Sequence, residues 1–285
     1  MVVGTVRMQT LLRHSLTALR SEVEEREARR AASHLILHPA DRGKGGGADG
    51  QAAPIWAAER CDTSLFCRAA VARGYLSEEQ MRRAAERYHL GMTRDGGVIF
   101  WQTDRAGVTH DGKVMYYRED CHRDRSPERH PTWVSSVLKA HYDSPVDFCP
   151  AHCLFGLHLL SGAAADESPQ HVAAAAGNAP QQVAVVEAEK TAVILSEHFP
   201  DRLWMAAGGL GELTAEKLLP LRGCAGVTLF PDTDCERTAY DRWWQVAQEA
   251  SPLLGLPVAV SALLELEASP AQKAAKIDLV DFLFH

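Results

Sequence analysis

The C-terminal third of the chain alternates short apolar runs with longer amphipathic ones. VAVVE (183–187), RLWMAA (202–207), GVTLF (226–230) and PVAV (257–260) are continuous apolar stretches. EKTAVILSEHF, GGLGELTAEKLLPLRG and ERTAYDRWWQVAQEA lie between them. Strands without polar alternation are buried on both faces. Separated by helical segments, they predict a parallel sheet flanked by helices, a Rossmann-like α/β arrangement.

The pattern before residue 160 differs. Asp62-Thr63-Ser64 offers a first helix cap, and Ser77 with Gln80 makes a capping box for a second helix ending near Leu90, with Gly74 between the two. GGVIFWQTDRAG reads as a strand and turn, KVMYYRED as its hairpin partner, and CLFGLHLL closes the block. Leu11, Leu12, Leu16, Leu19 and Val23 stand near helical spacing within a charged segment that reaches about residue 40, followed by the glycine-rich DRGKGGGADGQAAP. The expected organisation is a charged helix and flexible segment (1–54), a smaller α+β subdomain (55–160), an alanine-rich linker (161–182) and the α/β domain (183–285).

Composition narrows the class. With 285 residues, 46% of them hydrophobic, the chain can bury a sizeable core. No apolar run approaches the ~20 residues that cross a bilayer, and no secretory signal is read at the start, so the expected location is the cytoplasm, with no membrane partner. Seven cysteines without framework spacing read as reduced thiols. A net charge of −7 argues against non-specific coating of nucleic acid. Acids outnumber bases after Val183 but nearly balance them between Glu59 and Asp143, which allows one half to hold phosphate and the other metal.

Ligands of parallel α/β sheets sit at the carboxyl ends of the strands. Glu187 ends the first strand, and Asp232 and Asp234 follow the third. If those strands are neighbours, three carboxylates converge, and Mg²⁺ (or Mn²⁺) with retained waters and a phosphate suits such a set. Gly208 and Gly209 could let a phosphate approach the backbone, or simply make a turn. Lys190 could contact phosphate, or be an ordinary helix-surface lysine. Asp-x-Asp alone also occurs in solvated turns.

VVEAEKTA, AAGGLGEL and TLFPDTD, in that order, resemble the Toprim domain of DnaG-type primases and topoisomerases. AAVARGYLSEEQMRRAAERYHLGM, GGVIFWQTDRAGVTHDGKVMYYR and CLFGLHLL resemble the primase-core segment that precedes it. The whole is also similar to an uncharacterised Toprim-like group from bacterial mobile elements. The resemblance implies that Glu187 is the catalytic glutamate and that it, Asp232 and Asp234 hold metal. It places Lys113 and Arg118 on the nucleic-acid face, with Lys190, Gly208 and Gly209 as further contacts. It implies a Mg²⁺-dependent, primase-like nucleotidyltransferase acting on single-stranded DNA or nucleotides, alongside mobile-element replication or mobilisation proteins. The alternatives are a non-catalytic DNA- or protein-binding module and a Toprim nuclease. Ala188 replaces the family's glycine after the glutamate, and Cys235 and Glu236 follow the aspartates where the family has smaller residues.

Other groups stay open. His141, Cys149, His152, Cys153 and His158 admit zinc or buried thiols and surface imidazoles. Arg123, Arg125 and Arg129 form a basic loop. Trp243 and Trp244 could stack bases, but on a helix between strands at least one belongs in the core. Asp278 and Asp281 fall in an expected C-terminal helix, where an accessory role near the metal stays open.

Overall fold

The computed structural model describes residues 62–141, 152–161 and 181–284. The expected N-terminal helix, the glycine-rich spacer, most of the 161–182 stretch, Cys149 and the side chain of His141 lie outside these residues.

Two helices open the described chain. In α1 (Leu65–Ala72) the Ser64 hydroxyl accepts from the Cys67 amide at 3.2 Å, so Ser64 is the cap within the expected Asp62-Thr63-Ser64 stretch. In α2 (Glu78–Arg87) Ser77 and Gln80 form the expected capping box. Gly74, at φ +75°, turns the chain between them.

An antiparallel sheet follows: β1 (Gly91–Met92), β2 (Val98–Thr103), β3 (Thr109–Met115) and β4 (Thr132–Trp133), paired in that order. The hairpin partner starts at Thr109, four residues ahead of the expected KVMYYRED. The cause is Asp104, whose Oδ1 accepts from the amides of Ala106 and Val108 and tightens the turn. Helix α3 (Val134–His141) completes the layer.

The second sheet is the predicted parallel one. β5 (Gln182–Val186) leads into helix α4 (Glu189–His198), then β6 (Leu203–Ala206), β7 (Gly226–Phe230), α5 (Thr238–Leu254) and β8 (Val258–Val260). The strand order is β6-β5-β7-β8, parallel throughout. Three short helices close the described chain: α6 (Leu263–Glu267), α7 (Pro270–Ala275) and α8 (Leu279–Phe284). Asp278 therefore precedes α8, and only Asp281 lies within it. The helix expected after the glycine turn is reduced to a 3₁₀ segment, Glu216–Leu221, because Pro220 brings no backbone N–H to an α-helical ladder.

Valines 183 and 185, Met205, Leu229, Trp243 and Ala247 share one apolar core. Trp243 is fully buried and Trp244 is exposed, which divides the pair as expected. Phe155 and Ala206 exchange both backbone hydrogen bonds, at 3.0 and 3.1 Å, which supplies β6 with a partner on its outer side. Every residue of α4 is buried. Its polar members consequently need partners inside the protein: Glu197 pairs with Arg83 (2.7 Å) and Arg87 (2.9 Å), and His198 Nε2 donates to the Tyr75 carbonyl at 2.7 Å. Among the described residues no helix is long and apolar enough to cross a membrane.

Candidate functional site

β5 and β7 are direct neighbours, with Val186 opposite Phe230. Glu187 and Asp232 therefore leave the sheet at the same carboxyl edge, both half-buried. Burial raises the pKa of each. The facing charges of Glu187 and Asp278 then push the Asp232 carboxyl well above the usual range. Glu187 is raised further by Asp278 and Glu189, while the Leu210 amide and the Lys113 charge oppose the shift.

Asp234 is bound differently. Its Oδ1 accepts from the amides of Glu236 (2.9 Å) and Thr238 (3.0 Å), and its Oδ2 from that of Ala239 (2.9 Å). It therefore fastens the first turn of α5, whose preceding residue, Arg237, is left-handed at φ +60°. Burial works against its charge, but the three amides outweigh burial and hold the carboxyl below the usual range. Thr233, between the two aspartates, donates its amide to the Ile277 carbonyl (3.2 Å) and its hydroxyl to Glu265 Oε1 (3.2 Å). Sequence periodicity gave no sign of Glu265. It is a buried acid thirty-two residues away that anchors the acidic loop from α6.

Lys190 is not a helix-surface lysine. It is buried in α4, with Nζ 3.0 Å from Asp278 Oδ2 and 3.7 Å from Asp281 Oδ1. Burial disfavours its charge, yet Asp278 and Asp281 more than compensate, so its pKa is raised. Asp278 also accepts from the Thr191 hydroxyl (3.0 Å) and the Asp281 amide (2.9 Å). Burial opposes the charge of Asp278 in turn, but Lys190 and these donors lower its pKa.

Lys113 projects from β3 to the edge of the parallel sheet. Its ammonium donates to both oxygens of buried Glu189, at 3.1 and 3.2 Å, and to the Gly208 carbonyl at 2.6 Å. Gly208 takes φ +95°, and a Cβ there would stand 3.4 Å from Glu189 Oε1. Gly209, at φ +153°, continues the turn. The structure thus gathers Glu187, Asp232, Lys113, Lys190 and Gly208 around one sheet edge. Arg118 is instead exposed and forks onto Asp120 at 2.6 Å.

Among the described residues no three His, Cys, Asp or Glu side chains are gathered tightly enough to hold a metal ion by themselves. The donor set nonetheless fits Mg²⁺, which is commonly held by one or two carboxylates with water and phosphate completing its octahedron. Two mutually repelling carboxylates at one edge have the right chemistry for it. The zinc reading gains no such support. The His152 ring stacks on Trp133 at 3.9 Å, His158 hydrogen-bonds the Arg87 carbonyl, and burial pushes the Cys153 thiol up to about 11.

Residues 70–233 match the family described as "Domain of unknown function (DUF6371)". No curated protein matches the chain. Among solved structures it is similar to the primase fragment of the bacteriophage T7 primase-helicase protein, at 16% identity and a TM-score of 0.41, covering 81% of this chain and 76% of that one. It is also similar to the DnaG primase catalytic domain bound to ssDNA, at 15% identity, TM-score 0.43, and 74% and 72% coverage. A second structure, of the DnaG catalytic core, gives 16%, 0.42, and 74% and 73%.

Proposed function

The chain belongs to the DUF6371 family, and from that premise we propose that it is a Mg²⁺-dependent nucleic-acid enzyme of Toprim, primase-like type. Its reaction is nucleotidyl transfer templated by single-stranded DNA, in the replication or transfer of a mobile element. One observation carries this reading: Glu187 and Asp232 emerge side by side from adjacent parallel strands, at the edge where such sheets bind ligands.

Glu187 and Asp232 hold the ion. When bound, Mg²⁺ orients a phosphate and neutralises charge that develops as phosphoryl bonds exchange. The protein's own contribution is positioning. Asp234 fixes the start of α5 and Glu265 holds Thr233, so Asp232 is presented from a loop tied at both flanks. Lys113 tethers the Gly208 turn beside Glu187. The exposed arginines Arg123 and Arg125 lie in the basic loop after β3 and suit contact with a nucleic-acid backbone.

Primer synthesis by the purified full chain on single-stranded DNA, with nucleotides and Mg²⁺, tests this. Wild type is expected to extend products, and Glu187→Ala and Asp232→Ala to lose about 100-fold or more of the rate while keeping the native circular dichroism spectrum. Equal rates in all three proteins overturn the assignment. Shortened template without new product identifies a nuclease at the same site.

The commitment of both Asp234 oxygens to backbone amides favours one second reading, a non-catalytic module that binds DNA or protein. Specific single-stranded DNA binding by the wild type, unaffected by Asp232→Ala and without any product, supports it.

A further inference from the structure

The carboxylates around the sheet edge are not equally in need of an external cation. Glu189 is answered by Lys113, and Asp278 by Lys190. Asp234 is answered by backbone amides. Glu187 and Asp232 have no ammonium of their own at hydrogen-bonding distance among the described residues, and their two negative charges are what a single divalent ion cancels.

Two-metal centres for phosphoryl chemistry set two cations among a shared group of carboxylates. Here Lys190 Nζ stands 3.0 Å from Asp278 and 3.7 Å from Asp281, while its charge also acts on Asp232. An ammonium is a compact point charge with three donors, able to occupy a carboxylate-lined position as a small cation does. Lys190 is 9% exposed at its side chain and already bonded, so a phosphate could reach it only by breaking the Asp278 pair. That makes it a poor phosphate ligand and a good fixed counter-ion.

We propose that Lys190 is the built-in second cation of this site, occupying the Asp278–Asp281 position and restricting the centre to one divalent ion, held by Glu187 and Asp232. The proposal rests on the metal-holding role given to that pair above. It also assigns Lys190 a role inside the site instead of on a nucleic-acid surface.

Equilibrium dialysis and electron paramagnetic resonance of the full chain with Mn²⁺ test it without any activity assay. Wild type is expected to bind one tight Mn²⁺ per chain with an uncoupled spectrum. Lys190→Met, similar in length but uncharged, is expected to rise to two per chain with spin coupling between the ions, and Lys190→Arg to stay at one. Two ions in the wild type overturn the Lys190 role while leaving the Glu187–Asp232 reading intact. No ion in the wild type overturns both. A folded Lys190→Met protein that stays at one ion also overturns the Lys190 role. Should Lys190→Met fold only with metal present, its stoichiometry is read from protein refolded in Mn²⁺ and dialysed to a defined free concentration.

Discussion

Asp232 and Asp234 stand two residues apart and face opposite demands. Asp234 is satisfied by the protein itself: three amides converge on its carboxylate and start a 17-residue helix. Asp234→Ala should therefore cost about 2 kcal/mol of stability, the upper range for loss of a helix cap, measured by urea unfolding. Because its folded pKa is depressed, this contribution is present above the unfolded value of about 3.9 and disappears as pH falls through the lower folded value. The difference between wild type and variant should thus shrink in acid. Asp232 has the reverse linkage. Its raised folded pKa means that stability declines as pH rises from about 3.9 toward the folded value, because burial and the facing acids disfavour its charge. In sequence the two aspartates look equivalent. Only the path of the chain into α5 distinguishes the cap from the unanswered charge.

Among the elements, α4 shows where pattern reading stops. The alternation of apolar runs with longer segments located β5, α4, β6, β7, α5 and β8, since continuous β-branched runs have few other stable settings. It could not show that α4 lacks a solvent face, because its partners come from elsewhere: Arg83 lies 114 residues before Glu197, Lys113 76 before Glu189, and Asp278 87 after Thr191. The Glu197 fork gives a graded expectation. Its carboxylate is 3% exposed at the side chain, against 45% and 37% for Arg83 and Arg87. Removing both arginines strands a buried charge and should cost about 3 kcal/mol. Glu197→Ala returns two arginines to water and should cost nearer ~1 kcal/mol. Urea denaturation of the Arg83→Ala/Arg87→Ala pair and of Glu197→Ala checks the order, and equal losses would mean that burial of the carboxylate is unimportant. Two of the predicted elements differ from their sequence reading for local reasons: the Asp104 turn advanced β3, and Pro220 shortened the segment before β7.

At the scale of the whole molecule, part of the charge counted in the sequence is paired within the described residues. Arg83 and Arg87 serve Glu197, Lys113 serves Glu189, and Arg82 bridges Glu79 and Glu86. Positive charge free for a phosphate backbone is consequently smaller than the residue count suggests. The family match ends at Thr233, between the two aspartates, yet Glu265 and Asp278 beyond it brace and surround the same edge. The candidate site was legible as Glu187 and Asp232 because both are fixed to strand ends. Its internal cations were not, since their meaning depends on long-range pairs. Thermal melts of wild type and Asp232→Asn, in EDTA and in Mg²⁺, test the metal-holding edge most directly. The expected pattern is a crossing: the variant melts above wild type in EDTA, whereas Mg²⁺ at about 100 times its dissociation constant stabilises wild type by about 2.7 kcal/mol and leaves the variant unmoved. Equal Mg²⁺ shifts in both proteins, or none in either, would contradict a divalent ion held between Glu187 and Asp232.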